Sequence, residues 1–86
     1  MISSKSNAKI KNVKKLLSSA KERRLQNLFV IEGVRLVKEA PIELTEQLFI
    51  SESLAKNGEF DSSPYKNVEM ISDEVFRSLS DTVTPQ

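Results

Sequence analysis

Residues 29–40 have the sequence Phe29-Val30-Ile31-Glu32-Gly33-Val34-Arg35-Leu36-Val37-Lys38-Glu39-Ala40, and the rest of the chain is organised around them. The run from Leu28 to Ile31 is apolar and rich in β-branched residues, which predicts a buried strand. Gly33 gives the backbone freedom to turn, and the apolar residues after it fall at helical spacing until Pro41 ends the helix. The stretch therefore predicts a strand, a glycine turn and a helix. At the junction, Glu32 is expected to be a structural anion that fixes the turn by facing the helix N-terminus or an arginine.

The composition excludes several kinds of site. The chain has 86 residues, which is one small domain, and it contains neither cysteine nor histidine. It therefore lacks a thiolate nucleophile, a disulfide framework and the commonest general base and metal ligand. Its two glycines exclude a glycine-rich phosphate cradle, and no apolar run is long enough to cross a bilayer. We expect no catalytic residue, no bound cofactor, no metal and no membrane partner in this chain, and a reducing compartment, the cytoplasm.

The charges are divided unevenly along the chain. Residues 1–28 hold eight cations against Glu22 alone, a net charge of +7. Residues 41–86 hold three cations against nine acids, a net charge of −6, although the whole chain carries only +1. A split of this kind indicates a polyanionic partner on one face of the molecule.

The first helix is predicted to be amphipathic. Ser6 or Asn7 is the expected N-cap, and the helix runs for about four turns. Its apolar side contains Ile10, Val13, Leu16, Leu17 and Ala20, and its opposite arc contains Lys11, Lys14, Ser18 and Lys21, with Lys15 at the edge. Two interpretations of this lysine-rich side of the helix stay open, a solvated helix face and a surface that contacts phosphates.

Ala20 to Asn27 is predicted to be a polar connector. Its arginines, Arg23 and Arg24, carry planar guanidinium groups suited to a carboxylate or a phosphate. We expect one of the two to pair with Glu32 and the other to point outward to nucleic acid.

The second half of the chain predicts two more strands, each followed by a helix. The strands are Gln47–Ser51 and Val68–Ile71, with helices capped by Ser51 or Ser53 and by Ser72. Between them, residues 59–66 form a loop that Phe60 and Tyr65 are expected to pin to the body. The last helix is expected to bury Val75, Phe76 and Leu79, and Val83 looks like the approach to another strand. This order of elements favours an α/β fold with a parallel or mixed sheet covered on both faces.

Four patches of sequence, taken together, resemble the N-terminal substrate-binding domain of SpoU-type (TrmH-like) RNA ribose methyltransferases of the SPOUT superfamily. The patches are Ser4 to Lys11, Lys21-Glu22-Arg23, residues 29–40, and Ser72 to Val75 leading to Leu79 to Gln86. Each patch is weak alone, and their order and spacing over the whole chain make the resemblance specific.

The resemblance implies a small three-layer α/β/α sandwich with a mixed sheet of three to four strands, similar to kink-turn-binding ribosomal proteins. It implies that residues 1–80 hold ribosomal or transfer RNA, and that residues 81–86 begin the connection to a catalytic domain that is not in this chain. That domain would transfer methyl from S-adenosylmethionine to a ribose 2′-OH and would form most of a homodimer interface. The chain is expected to have no catalytic activity of its own.

The resemblance and the charge pattern together nominate RNA-binding residues, with Glu32 and Gly33 as structural positions. The nominated residues are Asn7, Lys9, Lys11, Lys14, Lys15, Lys21, Arg23, Arg24 and Arg35. Some alternatives stay open: Asn7 as a helix cap, and Arg23 as a partner of Glu32 that changes partner on binding RNA. Two other functions also stay open, a protein-interaction or self-association module and a free-standing kink-turn-type RNA-binding protein.

Overall fold

A computed structural model describes residues 1–82 and shows a mixed α/β domain. Five α-helices, two β-strands and one 3₁₀ helix follow one another within these residues. In chain order they are α1 (Ala8–Ser18), α2 (Ala20–Gln26), α3 (Val34–Glu39), the 3₁₀ helix (Ile42–Leu44), β1 (Leu48–Ser51), α4 (Glu52–Asn57), β2 (Val68–Ile71) and α5 (Asp73–Ser80).

β2 takes part in both backbone pairings of the sheet, one with β1 and one with the N-terminal segment. β1 and β2 pair in parallel, with Leu48 opposite Val68 and Ser51 opposite Ile71. The N-terminal segment adds a single parallel bridge between Ile2 and Ile71. In that bridge the Ile2 amide donates to the Met70 carbonyl at 2.8 Å, and the Ser72 amide donates to the Ile2 carbonyl at 2.9 Å. The α/β class is therefore confirmed, whereas a sandwich with a mixed sheet of three to four strands is not, because residues 1–82 contain two strands and one bridge.

The strand predicted from Leu28 to Ile31 is absent. Asn27 ends α2 in the left-handed conformation with φ 56°, and the segment after it has no regular secondary structure. Its residues alternate between half-buried and exposed, as along an extended chain with one side on the body. The prediction was wrong because a strand needs a ladder partner as well as apolar residues, and within residues 1–82 none pairs with this segment.

The first helix is also shorter than predicted. Ser19 ends α1, where its amide donates to the Lys15 carbonyl at 2.9 Å, and it begins α2, where its hydroxyl accepts from the Glu22 amide at 3.1 Å. The segment predicted as a polar connector is therefore the helix α2. Ala20 lies on α2 and is exposed, so it does not extend the buried side of α1.

The other helix ends follow their predicted caps. Asn7 caps α1, Ser51 caps α4 and Ser72 caps α5, each through a side-chain oxygen that accepts from a first-turn amide. Gly33 precedes α3 at φ 101°, a conformation that favours glycine, and α3 ends before Pro41.

The core lies between α1, β2 and α5. Ile10, Ile71 and Val75 are fully buried, and partly buried apolar residues pack around them. Val13 and Leu16 continue the buried side of α1, which confirms the predicted helix face.

Phe76 on α5 was predicted to be buried and is exposed instead. The predicted approach to a further strand at Val83 lies outside the described residues. None of the described helices has the length and apolar character needed to span a bilayer.

Candidate nucleic-acid interface

The lysines of α1 divide into two groups because of the angle at which each leaves the helix. At about 100° per residue, Lys11, Lys14 and Lys15 share one arc, roughly opposite the buried side that Val13 and Leu16 define. Lys11 and Lys15 are exposed, and Lys14 is half-buried. Within residues 1–82 none of these three lysines lies in an ion pair. We call these three residues the lysine arc.

Lys9 belongs to the other group. It leaves α1 on the side that faces the sheet, and its Nζ lies 2.7 Å from Oε1 of Glu69 on β2. The hydrogen bond from the Lys9 ammonium, together with its charge, lowers the pKa of the Glu69 carboxyl below its usual value. Lys5 makes a looser contact of 3.6 Å with Glu74. Lys9 and Lys5 therefore form ion pairs with acids of the same molecule, whereas within residues 1–82 the lysine arc does not.

Arg23 holds α1 and α2 together. Its Nη1 donates to the Leu16 carbonyl at 2.6 Å and approaches the Leu17 carbonyl at 3.4 Å. These carbonyls belong to the last turn of α1, where a cation also opposes the negative end of the helix dipole. The expectation that Arg23 or Arg24 pairs with Glu32 is wrong, because within residues 1–82 neither does so and Glu32 Oε2 accepts instead from the Ser80 hydroxyl at 2.7 Å.

A pair of amides completes the joint between these helices. Asn12 Nδ2 donates to Gln26 Oε1 at 3.0 Å, and Gln26 Nε2 donates back to Asn12 Oδ1 at 2.8 Å. Sequence reasoning missed this pair, which no spacing rule indicates. It also missed Ser19, although Ser19 and Glu22 match the serine-to-glutamate spacing of a capping box.

The remaining nominated residues have different surroundings. Asn7 uses its side-chain oxygen to accept from the Lys9 amide at 2.9 Å. Lys21 and Arg24 are exposed on α2, and within residues 1–82 neither forms an ion pair. Arg35 lies on α3, highly exposed, with its Nε 3.7 Å from Glu39 Oε1. Within residues 1–82, the lysine arc, Lys21 and Arg24 are thus the nominated cations whose side chains form neither an ion pair nor a hydrogen bond to the backbone.

A shallow depression opens beside Arg24 at the C-terminal end of α2. It has a volume of about 420 Å³ and is lined by Ala20, Arg23, Arg24, Asn27, Leu28 and Phe29. No acid lines it.

Acidic side chains cluster where β1 and β2 lead into α4 and α5. The Asp73 side chain accepts from the Ser53 hydroxyl and amide, which lowers the pKa of Asp73. The Asp73 amide in turn donates to Glu52 Oε1 at 3.3 Å, so the beginnings of α4 and α5 are joined. Within residues 1–82 no three acids are grouped closely enough to hold a metal ion.

Fold and site together define a small α/β domain with a lysine-rich helix face whose three lysines form no ion pair within residues 1–82. A family model described as the MRM3-like substrate binding domain matches residues 7–86, so the chain belongs to that family. The match supports the substrate-binding domain of an RNA methyltransferase, with RNA as the partner. No curated protein and no solved structure matches the chain at a significant level.

Proposed function

We propose that this chain is the RNA-binding domain of a ribose 2′-O-methyltransferase of the SpoU or TrmH type. The observation that carries the proposal is the lysine arc, three neighbouring cations on α1 that no described carboxylate neutralises. The RNA would be ribosomal or transfer RNA, and the site of action the cytoplasm. A separate catalytic domain would bind S-adenosylmethionine, transfer the methyl group and form the main homodimer contact.

We assign each nominated residue either to RNA contact or to stabilising α1 according to the groups that surround it. The lysine arc, with Lys21 and Arg24 beyond it, contacts phosphates and so sets the position of the RNA without reading its sequence. Asn7 and Arg23 act mainly by fixing the two ends of α1, because their polar atoms already bond its backbone. Arg35 would add a phosphate contact from α3.

A salt titration of RNA binding tests the proposal. Each neutralised phosphate contributes about 0.7–0.9 to the slope of log affinity against log salt. A variant with Lys11→Gln, Lys14→Gln and Lys15→Gln should therefore bind structured RNA with a slope smaller by about 2–3. The matched control is Lys38→Gln, Lys56→Gln and Lys66→Gln, which removes the same charge from outside the arc and should leave the slope nearly unchanged.

Two results would refute the proposal. One is the absence of RNA binding by the unaltered chain even at low ionic strength. The other is an equal loss of slope in both triple variants, because the position of the charges would then not matter.

A second candidate is a self-association or protein-interaction module. The observation that favours it is the net charge of −6 over residues 41–86, which is complementary in sign to the lysine arc of a second copy. Sedimentation over a range of protein concentrations separates the two candidates. A salt-sensitive oligomer without affinity for RNA would favour this second one.

A further inference from the structure

Phe29 is the aromatic residue that the fold leaves most open. Its side chain is 75% exposed, whereas Phe76, the next most exposed aromatic, is at 36%. The other aromatic side chains are used within the molecule: Phe60 and Tyr65 pack on each other with ring centroids 5.8 Å apart, and Phe49 packs against the core. An exposed aromatic ring offers a face on which a flat group can stack.

The depression beside Phe29 places positively charged side chains next to that ring. Arg23 and Arg24 line it together with Phe29, and so does the amide side chain of Asn27. Only one guanidinium nitrogen of Arg23 is used for the hydrogen bonds to α1, so this cation is held in place with further N–H donors left over. Arg24 is exposed, and within residues 1–82 it makes no ion pair.

We propose that this depression takes one unpaired nucleotide of RNA, with the base stacked on Phe29 and the phosphate held by Arg24. Stacking on an aromatic ring beside arginine is the way in which proteins hold bases that are not in a duplex. The amide of Asn27 offers both a donor and an acceptor to the edge of the base. This inference rests on the proposed RNA-binding function and assigns it a second, chemically different contact.

The charges argue for a nucleotide and against an apolar protein segment. An apolar segment that covered Phe29 would also have to remove water from Arg23 and Arg24 without supplying an anion, which is unfavourable. A nucleotide supplies its own phosphate. The depression also lies near the C-terminal end of α1, since Arg23, which lines it, donates to a carbonyl in the last turn of that helix.

The experiment uses the 86-residue chain and a single-stranded ribo-oligonucleotide that carries 2-aminopurine, a fluorescent base whose emission changes when it stacks. Phe29→Ala should abolish the emission change and weaken binding about 5- to 150-fold, the range measured for loss of one stacked base. The salt slope should stay the same, because no phosphate contact is lost. Arg24→Gln should lower the slope by about 0.7–0.9 and keep the emission change.

Two further variants act as controls. Phe29→Tyr keeps the ring and should restore both binding and the emission change. Leu25→Ala removes an apolar side chain that is 70% exposed on the same helix but does not line the depression, and it should have no effect. Circular dichroism checks that each variant is folded.

Three results would overturn the inference, and they separate it from the proposed function. If Phe29→Ala binds as the unaltered chain does while the lysine-arc variant loses slope, the nucleotide site is wrong and the RNA function stands. If the unaltered chain binds no RNA at low salt, both fail. If the chain forms a dimer that Phe29→Ala abolishes, a second copy occupies the depression.

Discussion

Replacing Arg23 with methionine should destabilise the domain, whereas the same change at its neighbour Arg24 should not. Methionine keeps an apolar stem of similar length but removes every hydrogen-bond donor. The guanidinium of Arg23 donates to the Leu16 carbonyl at 2.6 Å, and the 3.4 Å contact with the Leu17 carbonyl adds little. Arg24 is exposed and, within residues 1–82, forms no ion pair.

The size of the effect follows from these contacts. A hydrogen bond from a charged donor contributes about 1.5–3 kcal/mol, and the half-buried position of Arg23 places it at the lower end of that range. Loss of a cation at the end of α1 adds about 0.3–1 kcal/mol. We therefore expect Arg23→Met to lower the free energy of unfolding by about 2 kcal/mol. At about 4–8 °C per kcal/mol for a domain of this size, the melting temperature should fall by roughly 8–16 °C.

Urea unfolding followed by circular dichroism measures the difference. Arg24→Met should change the free energy of unfolding by less than about 0.5 kcal/mol, as is usual for surface positions. Arg23→Lys should fall between the two, because an ammonium supplies the charge without the planar fork. Equal stability of the two methionine variants would refute the structural role assigned to Arg23.

Three other changes test single features of the fold. Asn7→Ala removes the cap of α1 and should lower the free energy of unfolding by about 1 kcal/mol in urea unfolding, while the folded variant keeps its affinity for RNA; a weaker affinity would show that Asn7 contacts the RNA. Gly33→Ala forces a β-carbon into a backbone at φ 101° and should cost about 1–3 kcal/mol by the same measurement, and an unchanged stability would show that the turn relaxes easily. Because Lys9 lowers the pKa of Glu69, the stability from this pair is present above the ordinary glutamate value of 4.5 and is lost as the pH falls through the lower folded value. Lys9→Gln should reduce that acid-dependent loss, measured by melting temperature from pH 7 to pH 3, and an identical pH profile would contradict the assignment.

The features that the sequence predicted well are those decided by a few neighbouring residues. Ser51 and Ser72 cap the helices after β1 and β2 because each hydroxyl only has to reach an amide three residues ahead. The helix after Gly33 and its end before Pro41 depend likewise on the backbone preferences of those two residues. The buried side of α1 follows from the helical repeat alone.

The features that the sequence did not predict depend on contacts between distant residues. The run from Leu28 to Ile31 has the composition of a strand, but composition does not specify the neighbour that completes a ladder. The partner of Glu32 lies 48 residues away at Ser80, so proximity along the chain favoured the wrong group. Within the candidate site, the helical repeat placed Lys11, Lys14 and Lys15 on one arc of α1. It wrongly extended that arc to Lys21, which lies on α2, and it could not show that Lys9 pairs with Glu69. Whether the nominated residues bind RNA stays a prediction.

The bridge between Ile2 and Ile71 has a practical meaning for anyone who produces this protein. Within the described residues 1–82, two backbone hydrogen bonds attach the N-terminal segment to the outer edge of β2. Trimming those first residues, or joining a bulky purification tag directly to Met1, would leave that border without its cover and ready to capture a strand from another molecule. Material made in that way would tend to aggregate for reasons unrelated to RNA, so an affinity tag belongs behind a flexible spacer.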